Sequence, residues 1–177
     1  QSIHAAFAHA HTFLIHTQAQ TTQPVEPVVT KTYFDCPLPR DLQDHIAALC
    51  EEHHIDPAII VAMCKKESTY NARAVGDGGN SLGLMQIQPR WHKERMKRLG
   101  CSNLKDAYQN VTVGIDFFAE LMGKYEDVEK ALMAYNAGES GARKNWWKRG
   151  IYSNKYSRAV LEIAEELKEG AIHEIYR

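Results

Sequence analysis

Glu67 is the residue in this chain whose type and position best suit proton transfer. It follows Met63 by four residues and Cys64 by three, so on a helix its carboxyl group projects from the apolar face. It also falls in the last turn of the predicted helix, next to the negative end of the helix dipole. Both effects disfavour the charged form and raise the carboxyl pKa, as a general acid requires near neutral pH. The alternative is an ordinary ion pair between Glu67 and a basic side chain at the helix end.

Three short segments, the first beginning at Glu67, each contain at least one side-chain amide. They read Glu-Ser-Thr-Tyr-Asn over 67–71, Gly-Leu-Met-Gln-Ile-Gln-Pro over 83–89 and Ala-Tyr-Asn-Ala-Gly over 134–138. Any one of them would be a weak signal. In this order and at these separations they closely resemble the soluble lytic transglycosylase (SLT) domain, a lysozyme-like family related to goose-type lysozyme. The resemblance covers about residues 38–168.

The resemblance implies a role for each matched residue. Glu67 matches the single catalytic acid and base, and the Tyr135 hydroxyl is expected near its carboxylate. The residues expected to line the sugar groove are Met85, Gln86, Tyr135, Asn136 and Tyr156. Many members place a serine in the loop before the Gly-Leu-Met-Gln segment, and Ser81 is the candidate here. Core packing is the alternative for Met85 and Tyr156, and an amide bonded to the backbone is the alternative for Gln86 and Asn136.

The implied reaction needs one carboxyl group, whereas most glycosidases use two. Glu67 would protonate the oxygen that links N-acetylmuramic acid to N-acetylglucosamine. It would then take the proton of the muramoyl 6-hydroxyl group, which closes onto C1 as a 1,6-anhydro ring. This chemistry uses no metal and no cofactor.

Two other functions stay open at this point. Asp77 lies in the glycine-rich stretch where goose-type lysozymes place acidic residues, so it is the candidate second carboxylate of a hydrolase that uses water. Turn chemistry is the alternative for Asp77, and Glu139 is a further candidate for the same task. A glycan-binding or assembly module would keep the groove without turnover, and Trp146 and Trp147 could stack on its sugars.

The segment that carries Glu67 is predicted to be a helix because Asp56 and Pro57 form a helix-start signal. Apolar residues recur at helical spacing over about 41–53, 109–124 and 153–168, and a helix over 127–137 is expected to end at Gly138.

A basic helix is expected after Pro89, and the glycine-rich stretch 69–83 predicts a loop or small hairpin. The fold class is therefore mainly α. With the resemblance, it is a lysozyme-like single domain of about seven helices with at most a minimal β-hairpin.

Composition excludes several classes of protein. The 177 residues carry 21 basic and 22 acidic side chains, and the net charge of -1 argues against a nucleic-acid partner. No run of 18 apolar residues is present that could span a bilayer. Hydrophobic residues make up 44% of the chain, which is enough for a sizeable core.

Residues 1–35 are predicted to be a flexible tail and linker, and residues 36–177 the catalytic domain. Residues 18–30 are rich in Thr, Gln and Pro and lack a helical period. The chain begins at Gln1, so a processed or trimmed product is expected, and a missing N-terminal segment could tether it to a membrane.

The cysteines contain no Cys-x-x-Cys pair, which argues against a zinc site. Four cysteines allow three disulfide pairings, and the sequence does not choose among them. They are Cys36, Cys50, Cys64 and Cys101.

The partners that the resemblance implies are peptidoglycan glycan strands, acted on by a monomer. Such a substrate lies outside the cytoplasmic membrane. The expected location is therefore the cell envelope or the exterior of a bacterium, with a bacterium, a phage or a conjugative element as the source.

Overall fold

Helices dominate the computed structural model, which describes residues 29–176. Six α-helices are found in that range: α1 (Arg40–His53), α2 (Pro57–Ser68), α3 (Lys93–Arg98), α4 (Ala107–Tyr125), α5 (Val128–Asn145) and α6 (Lys155–Glu169). Short 3-10 turns cover Asp77–Gly79, Pro89–Trp91 and Trp147–Arg149. The prediction of a mainly α fold is confirmed.

Side-chain caps fix the starts of the helices that carry the site. The Asp56 carboxylate accepts a hydrogen bond from the Ala58 backbone N–H at 2.9 Å, and Pro57 occupies the first turn of α2. At α6, the side chains of Asn154 and Ser157 each accept a hydrogen bond from the other's backbone N–H at 2.9 Å. These caps satisfy N–H groups that the helix itself leaves free.

Helix α2 lies at the centre of the hydrophobic core. Ile60, Met63 and Cys64 are fully buried, and α2 packs along α6. Helix α4 packs against both α1 and α5. The end of α2, where Glu67 lies, is thereby held against α6.

Helix α5 differs from the prediction at its C-terminal end. The sequence predicted that the helix ends at Gly138. The backbone instead breaks there, with φ 69° and ψ 156°, and helical structure resumes and runs to Asn145. Glycine adopts a positive φ without the steric cost that other residues meet, so the chain can turn there without ending the helix.

Two small antiparallel sheets flank the helices. Strands β2 (Val75–Gly76) and β3 (Ser81–Leu82) form the hairpin predicted within 69–83. Strands β1 (Val29–Tyr33) and β4 (Ile172–Tyr176) pair along their whole length, from Val29 opposite Tyr176 to Tyr33 opposite Ile172.

The pairing of β1 with β4 is a feature that the sequence analysis did not predict. Residues 29–33 belong to the segment assigned to tail and linker, yet they form a strand, and Phe34 and Leu38 pack in the core. The ordered fold therefore starts before residue 36. The remainder of the predicted tail, residues 1–28, lies outside the described residues.

All four cysteines lie in the described range and are free thiols. Burial raises the pKa of the Cys50 thiol to about 12, and it raises that of Cys64 further. Across residues 29–176, no helix is long and apolar enough to cross a membrane.

Candidate active site

Glu67 lies at the C-terminal end of α2 with its carboxyl group largely buried. The helix stops beside it because Thr69 and Tyr70 both take a positive φ, 51° and 63°. The Tyr156 hydroxyl, from the first turn of α6, donates a hydrogen bond of 2.5 Å to Glu67 Oε1. None of the salt bridges within residues 29–176 involves Glu67, so the ion-pair alternative is not what the structure shows.

The pKa of Glu67 is raised above the ordinary carboxyl value. Burial is the largest cause, because it penalises the charged form. The hydrogen bond from Tyr156 and the positive charge of Lys66 act in the opposite direction and only partly offset it. The carboxyl group is therefore suited to holding a proton that a substrate oxygen could accept.

Tyr135 lies beside Glu67 but bonds elsewhere. Its hydroxyl donates to the Met85 carbonyl oxygen at 2.8 Å, and its ring packs against Phe117, with 5.2 Å between ring centroids. Burial and the negative charge of Glu67 raise the pKa of Tyr135 well above its usual value. The tyrosine that contacts the carboxylate directly is thus Tyr156.

We expect Tyr156→Phe to move the pH profile of catalysis to higher pH. The Tyr156 hydrogen bond favours the charged carboxylate, so its removal raises the pKa of Glu67 further. A general acid must be protonated, and its rate falls as the pH rises through that pKa. The basic limb of kcat/KM against pH should therefore shift upward.

The matched control for this pH profile is Tyr135→Phe, which removes a hydroxyl group bonded to Met85 instead of Glu67. Its basic limb should stay close to that of the wild type. An unshifted limb in Tyr156→Phe would show that this hydrogen bond does not set the working pKa of Glu67.

A groove of about 970 Å³ runs past Glu67. The candidate residues from the sequence that line it are Glu67, Asp77, Ser81, Gln86, Tyr135, Asn136 and Glu139. A second cavity adjoins it, lined in part by Asn136 and Tyr156. Within residues 29–176 no three His, Cys, Asp or Glu side chains cluster as a metal site would require.

Met85 differs from its expected place. Its side chain is 0% exposed and packs against Gly114, where an added Cβ would lie 2.4 Å from the Met85 sulfur. The side chain belongs to the core, and only the backbone of Met85 serves the site, through its carbonyl bond to Tyr135.

Gln86 braces the hairpin wall of the groove. Its φ is 50°, and its amide nitrogen donates to the Gly83 carbonyl at 3.0 Å. Gly76 leaves room for the amide, since a Cβ there would lie 2.3 Å from Gln86 Oε1. The Gln86 amide is thus bonded to the backbone, which was the alternative to a sugar-binding role. The residue nevertheless lines the groove.

Asn110, which the sequence analysis did not single out, holds the segment that carries Met85. Its side chain is 0% exposed; Oδ1 accepts from the Met85 N–H, and Nδ2 donates to the carbonyls of Leu82 and Leu104, all at 2.8 Å. Gly83 passes so close, at φ +74°, that a Cβ would lie 2.2 Å from Nδ2.

Gln88 joins several of the residues that line the groove by hydrogen bonds. Its amide nitrogen donates to Asp77 Oδ2 at 2.9 Å and to Ser81 Oγ at 3.2 Å, and its Oε1 accepts from Trp91 Nε1 at 3.1 Å. Trp91 is 70% exposed and also lines the groove. Gln88 therefore orients both the candidate second carboxylate and a flat aromatic surface.

Comparison with known families identifies the chain. The family model described as the transglycosylase SLT domain matches residues 44–157. The chain belongs to this family. The match includes Glu67, Tyr135 and Tyr156, and it ends at residue 157, in the first turn of α6.

Relatives of this SLT domain come from phage, bacteria and birds. A transglycosylase of Enterobacteria phage PRD1 is 34% identical over 117 residues, 66% of this chain and 40% of that protein. Invasion protein IagB of Salmonella typhi is 33% identical over 127 residues, 68% of this chain and 75% of that protein. Lysozyme g of Gallus gallus is 28% identical over 134 residues, 69% of this chain and 59% of that protein.

A solved structure shares the fold. The lytic transglycosylase Slt of Pseudomonas aeruginosa, in an inactive mutant form, superposes with a TM-score of 0.61 at 21% identity. The match covers 74% of this chain and 24% of that chain. The predicted lysozyme-like SLT fold is therefore confirmed, and this chain spans only a minor part of the Slt and PRD1 proteins.

Two of the three remaining candidates, Glu139 and Trp147, have structural partners. Glu139 forms an ion pair with Lys124 at 2.5 Å, and this hydrogen-bonded contact lowers the pKa of Glu139. Trp147 packs on Tyr125, with 4.8 Å between ring centroids. Trp146 lines the second cavity.

Proposed function

We propose that this SLT domain is a peptidoglycan lytic transglycosylase in which Glu67 is the sole acid and base. The observation that supports the proposal is the partly buried Glu67 carboxyl group, with its raised pKa, beside an open groove. The proposed substrate is the β-1,4 bond between N-acetylmuramic acid and N-acetylglucosamine.

The first step transfers the Glu67 proton to the oxygen of the glycosidic bond. The bond between that oxygen and C1 of the muramoyl sugar then breaks, and N-acetylglucosamine leaves with the proton. The N-acetyl oxygen of the muramoyl sugar stabilises the positive charge that develops at C1. Glu67 is left as a carboxylate that accepts the Tyr156 hydrogen bond.

The second step returns the proton. The Glu67 carboxylate takes the proton of the muramoyl 6-hydroxyl group, and that oxygen bonds to C1 to give the 1,6-anhydro ring. No water is consumed, so the product is one water lighter than a hydrolysis product. Tyr156 suits this cycle because its hydrogen bond stabilises the charged intermediate form of Glu67.

The groove residues have distinct parts in this proposal. Asn136 and Trp91 present exposed amide and aromatic surface to the glycan. Ser81 and Gln86 shape the hairpin wall, while Met85 acts through its backbone. Sugar rings stack readily on exposed indole faces, so Trp91 is the aromatic residue that we expect to bind a sugar.

A hydrolase that uses Asp77 is the second candidate, because Asp77 lines the same groove as Glu67. Against it stands the bond between Asp77 Oδ2 and Gln88, which occupies one oxygen of the carboxylate that would have to hold the water. A glycan-binding module is the third, and it does not require a buried proton donor.

The test is mass spectrometry of fragments released from purified peptidoglycan by the wild type and by Asp77→Asn. We expect ends in 1,6-anhydromuramic acid that resist borohydride, with Asp77→Asn retaining most of the rate. Reducible ends that vanish in Asp77→Asn would establish the hydrolase instead. Absence of any product would favour the binding module.

We further propose that the protein acts as a monomer in the cell envelope or outside the cell. Its source would be a bacterium, or a phage or conjugative element that acts on one. The similarity to a phage transglycosylase and to a Salmonella invasion protein supports this location. Residues 36–177 would form the catalytic unit together with strand β1.

A further inference from the structure

Asp77 is a carboxylate of the catalytic groove that has no cationic partner. It is exposed on the turn between β2 and β3, where its φ is 49°. Within residues 29–176, none of the salt bridges involves it, and its side chain accepts a single hydrogen bond, from Gln88 Nε2 at 2.9 Å. A carboxylate in such a groove can take a proton from water, so this bond bears on which reaction the groove performs.

The Gln88 amide is fixed in one orientation by its four partners. Nε2 donates to Asp77 Oδ2 and, at 3.2 Å, to Ser81 Oγ. Oε1 accepts from Trp91 Nε1 and from Arg90 Nη2, both at 3.1 Å. An indole and a guanidinium group can only donate, and a carboxylate can only accept, so a rotated amide would lose three of these four bonds. The N–H group that points at Asp77 is therefore held in place by the donors on the opposite side of the amide.

Two nucleophiles can attack C1 of the muramoyl sugar once its glycosidic bond has broken. One is the 6-hydroxyl group of the same sugar, which gives the 1,6-anhydro ring. The other is water: its oxygen would bond to C1, its proton would pass to the Asp77 carboxylate, and solvent would carry that proton back to Glu67. A hydrogen bond to the charged form of a carboxylate makes it a weaker base. Gln88 therefore both weakens Asp77 as a base and occupies the oxygen at which water would bind.

We propose that Gln88 is a positioning residue that determines the product of the reaction, because its bond to Asp77 keeps that carboxylate from activating water and leaves C1 to the 6-hydroxyl group. The inference rests on the proposed function, since it assumes that Glu67 starts the cleavage at a muramoyl sugar. It assigns to Gln88 a role in the choice between two products, which is distinct from a role in binding the glycan.

The test is the ratio of reducible to 1,6-anhydro ends released from purified peptidoglycan, measured by mass spectrometry after borohydride reduction. Gln88→Met removes the donor without adding a charge, and Gln88→Glu removes it but can still accept from Trp91 and Arg90. In each variant we expect the ratio to rise by roughly three- to tenfold over that of the wild type, the value of one exposed hydrogen bond to a charged group. Adding Asp77→Asn to either variant should return the ratio to that of the wild type.

The matched control is Trp91→Phe, which removes the indole donor and leaves the bond between Gln88 and Asp77 in place. This variant can bind the glycan more weakly, but its ratio of ends should stay that of the wild type. Three results would overturn the inference: an unchanged ratio in both Gln88 variants, an equal rise in Trp91→Phe, or a rise that persists after Asp77→Asn is added.

Failure of the proposed function is seen separately, in the wild type alone. If the wild type released no 1,6-anhydro ends, the transglycosylase reaction and the inference would both be wrong. If it released them and the ratio did not move in either Gln88 variant, only the role of Gln88 would be wrong.

Discussion

Glu67→Gln is expected to lower the rate of glycan cleavage by about 10²–10⁴-fold, the range that a positioned general acid contributes. Glutamine keeps the shape of the side chain and can still accept the Tyr156 hydrogen bond, but it cannot give a proton to the glycosidic oxygen. The measurement is the initial rate of fragment release from purified peptidoglycan at fixed protein concentration. Binding of the glycan should survive, because the groove is unchanged.

The matched control is Glu139→Gln, which removes a carboxylate from the same groove. Glu139 is paired with Lys124, and the pKa of its carboxyl group is lowered, so it should act as a structural anion with little effect on the rate. A comparable loss in both variants, or turnover that persists in Glu67→Gln, would remove Glu67 from the role of sole acid and base.

Glu67→Gln should also make the protein more stable at neutral pH. The folded protein holds the Glu67 proton more tightly than the unfolded chain, because burial raises its pKa. The wild type therefore loses stability as the pH rises from the ordinary carboxyl pKa through the raised one. Glutamine has no such dependence, so the Tm difference should favour Glu67→Gln at pH 7 and shrink toward low pH.

Asn110→Ala is expected to lower the free energy of unfolding by about 3 kcal/mol. The substitution leaves the Met85 N–H and the Leu82 and Leu104 carbonyls without their partner inside the core. It also opens a cavity beside Gly83. The measurement is urea unfolding followed by circular dichroism. The free energy of unfolding is extrapolated to zero urea with the same m-value for both proteins.

The control for that measurement is Asn145→Ala, the same change at an exposed position near the end of α5. It should alter the free energy of unfolding by less than about 0.5 kcal/mol. A loss below about 1 kcal/mol in Asn110→Ala would mean that the loop from Leu82 to Met85 is held by other contacts.

The local features of the fold were predictable from the sequence because they depend on near neighbours. Asp56 and Pro57 predict the start of α2, because the cap depends only on residues next to it in the chain. The candidate role of Glu67 was predicted from its spacing to Met63 and Cys64. The hairpin could be expected from its glycines. The resemblance to the SLT family extended these local inferences to the groove.

Features that depend on distant partners were not predictable in the same way. Strand β1 needs β4, from the other end of the chain, and neither segment shows a strong alternating pattern by itself. Asn110 looks like an ordinary polar residue of α4 until the Leu82–Met85 loop is placed against it. The orientation of Trp91 likewise depends on Gln88, whose partners are Asp77 and Ser81.

The pairing of β1 with β4 also has a mechanical consequence. Val29 and Tyr176 face each other at the open end of the two strands, so a pull on both would break the backbone hydrogen bonds one at a time from that end. Along the chain, the 15 residues of α6, about 20 Å of helix at a rise of about 1.5 Å per residue, separate the segment before Tyr156 from strand β4. Under load the strand pair should therefore yield first, while the cleft around Glu67 keeps its shape.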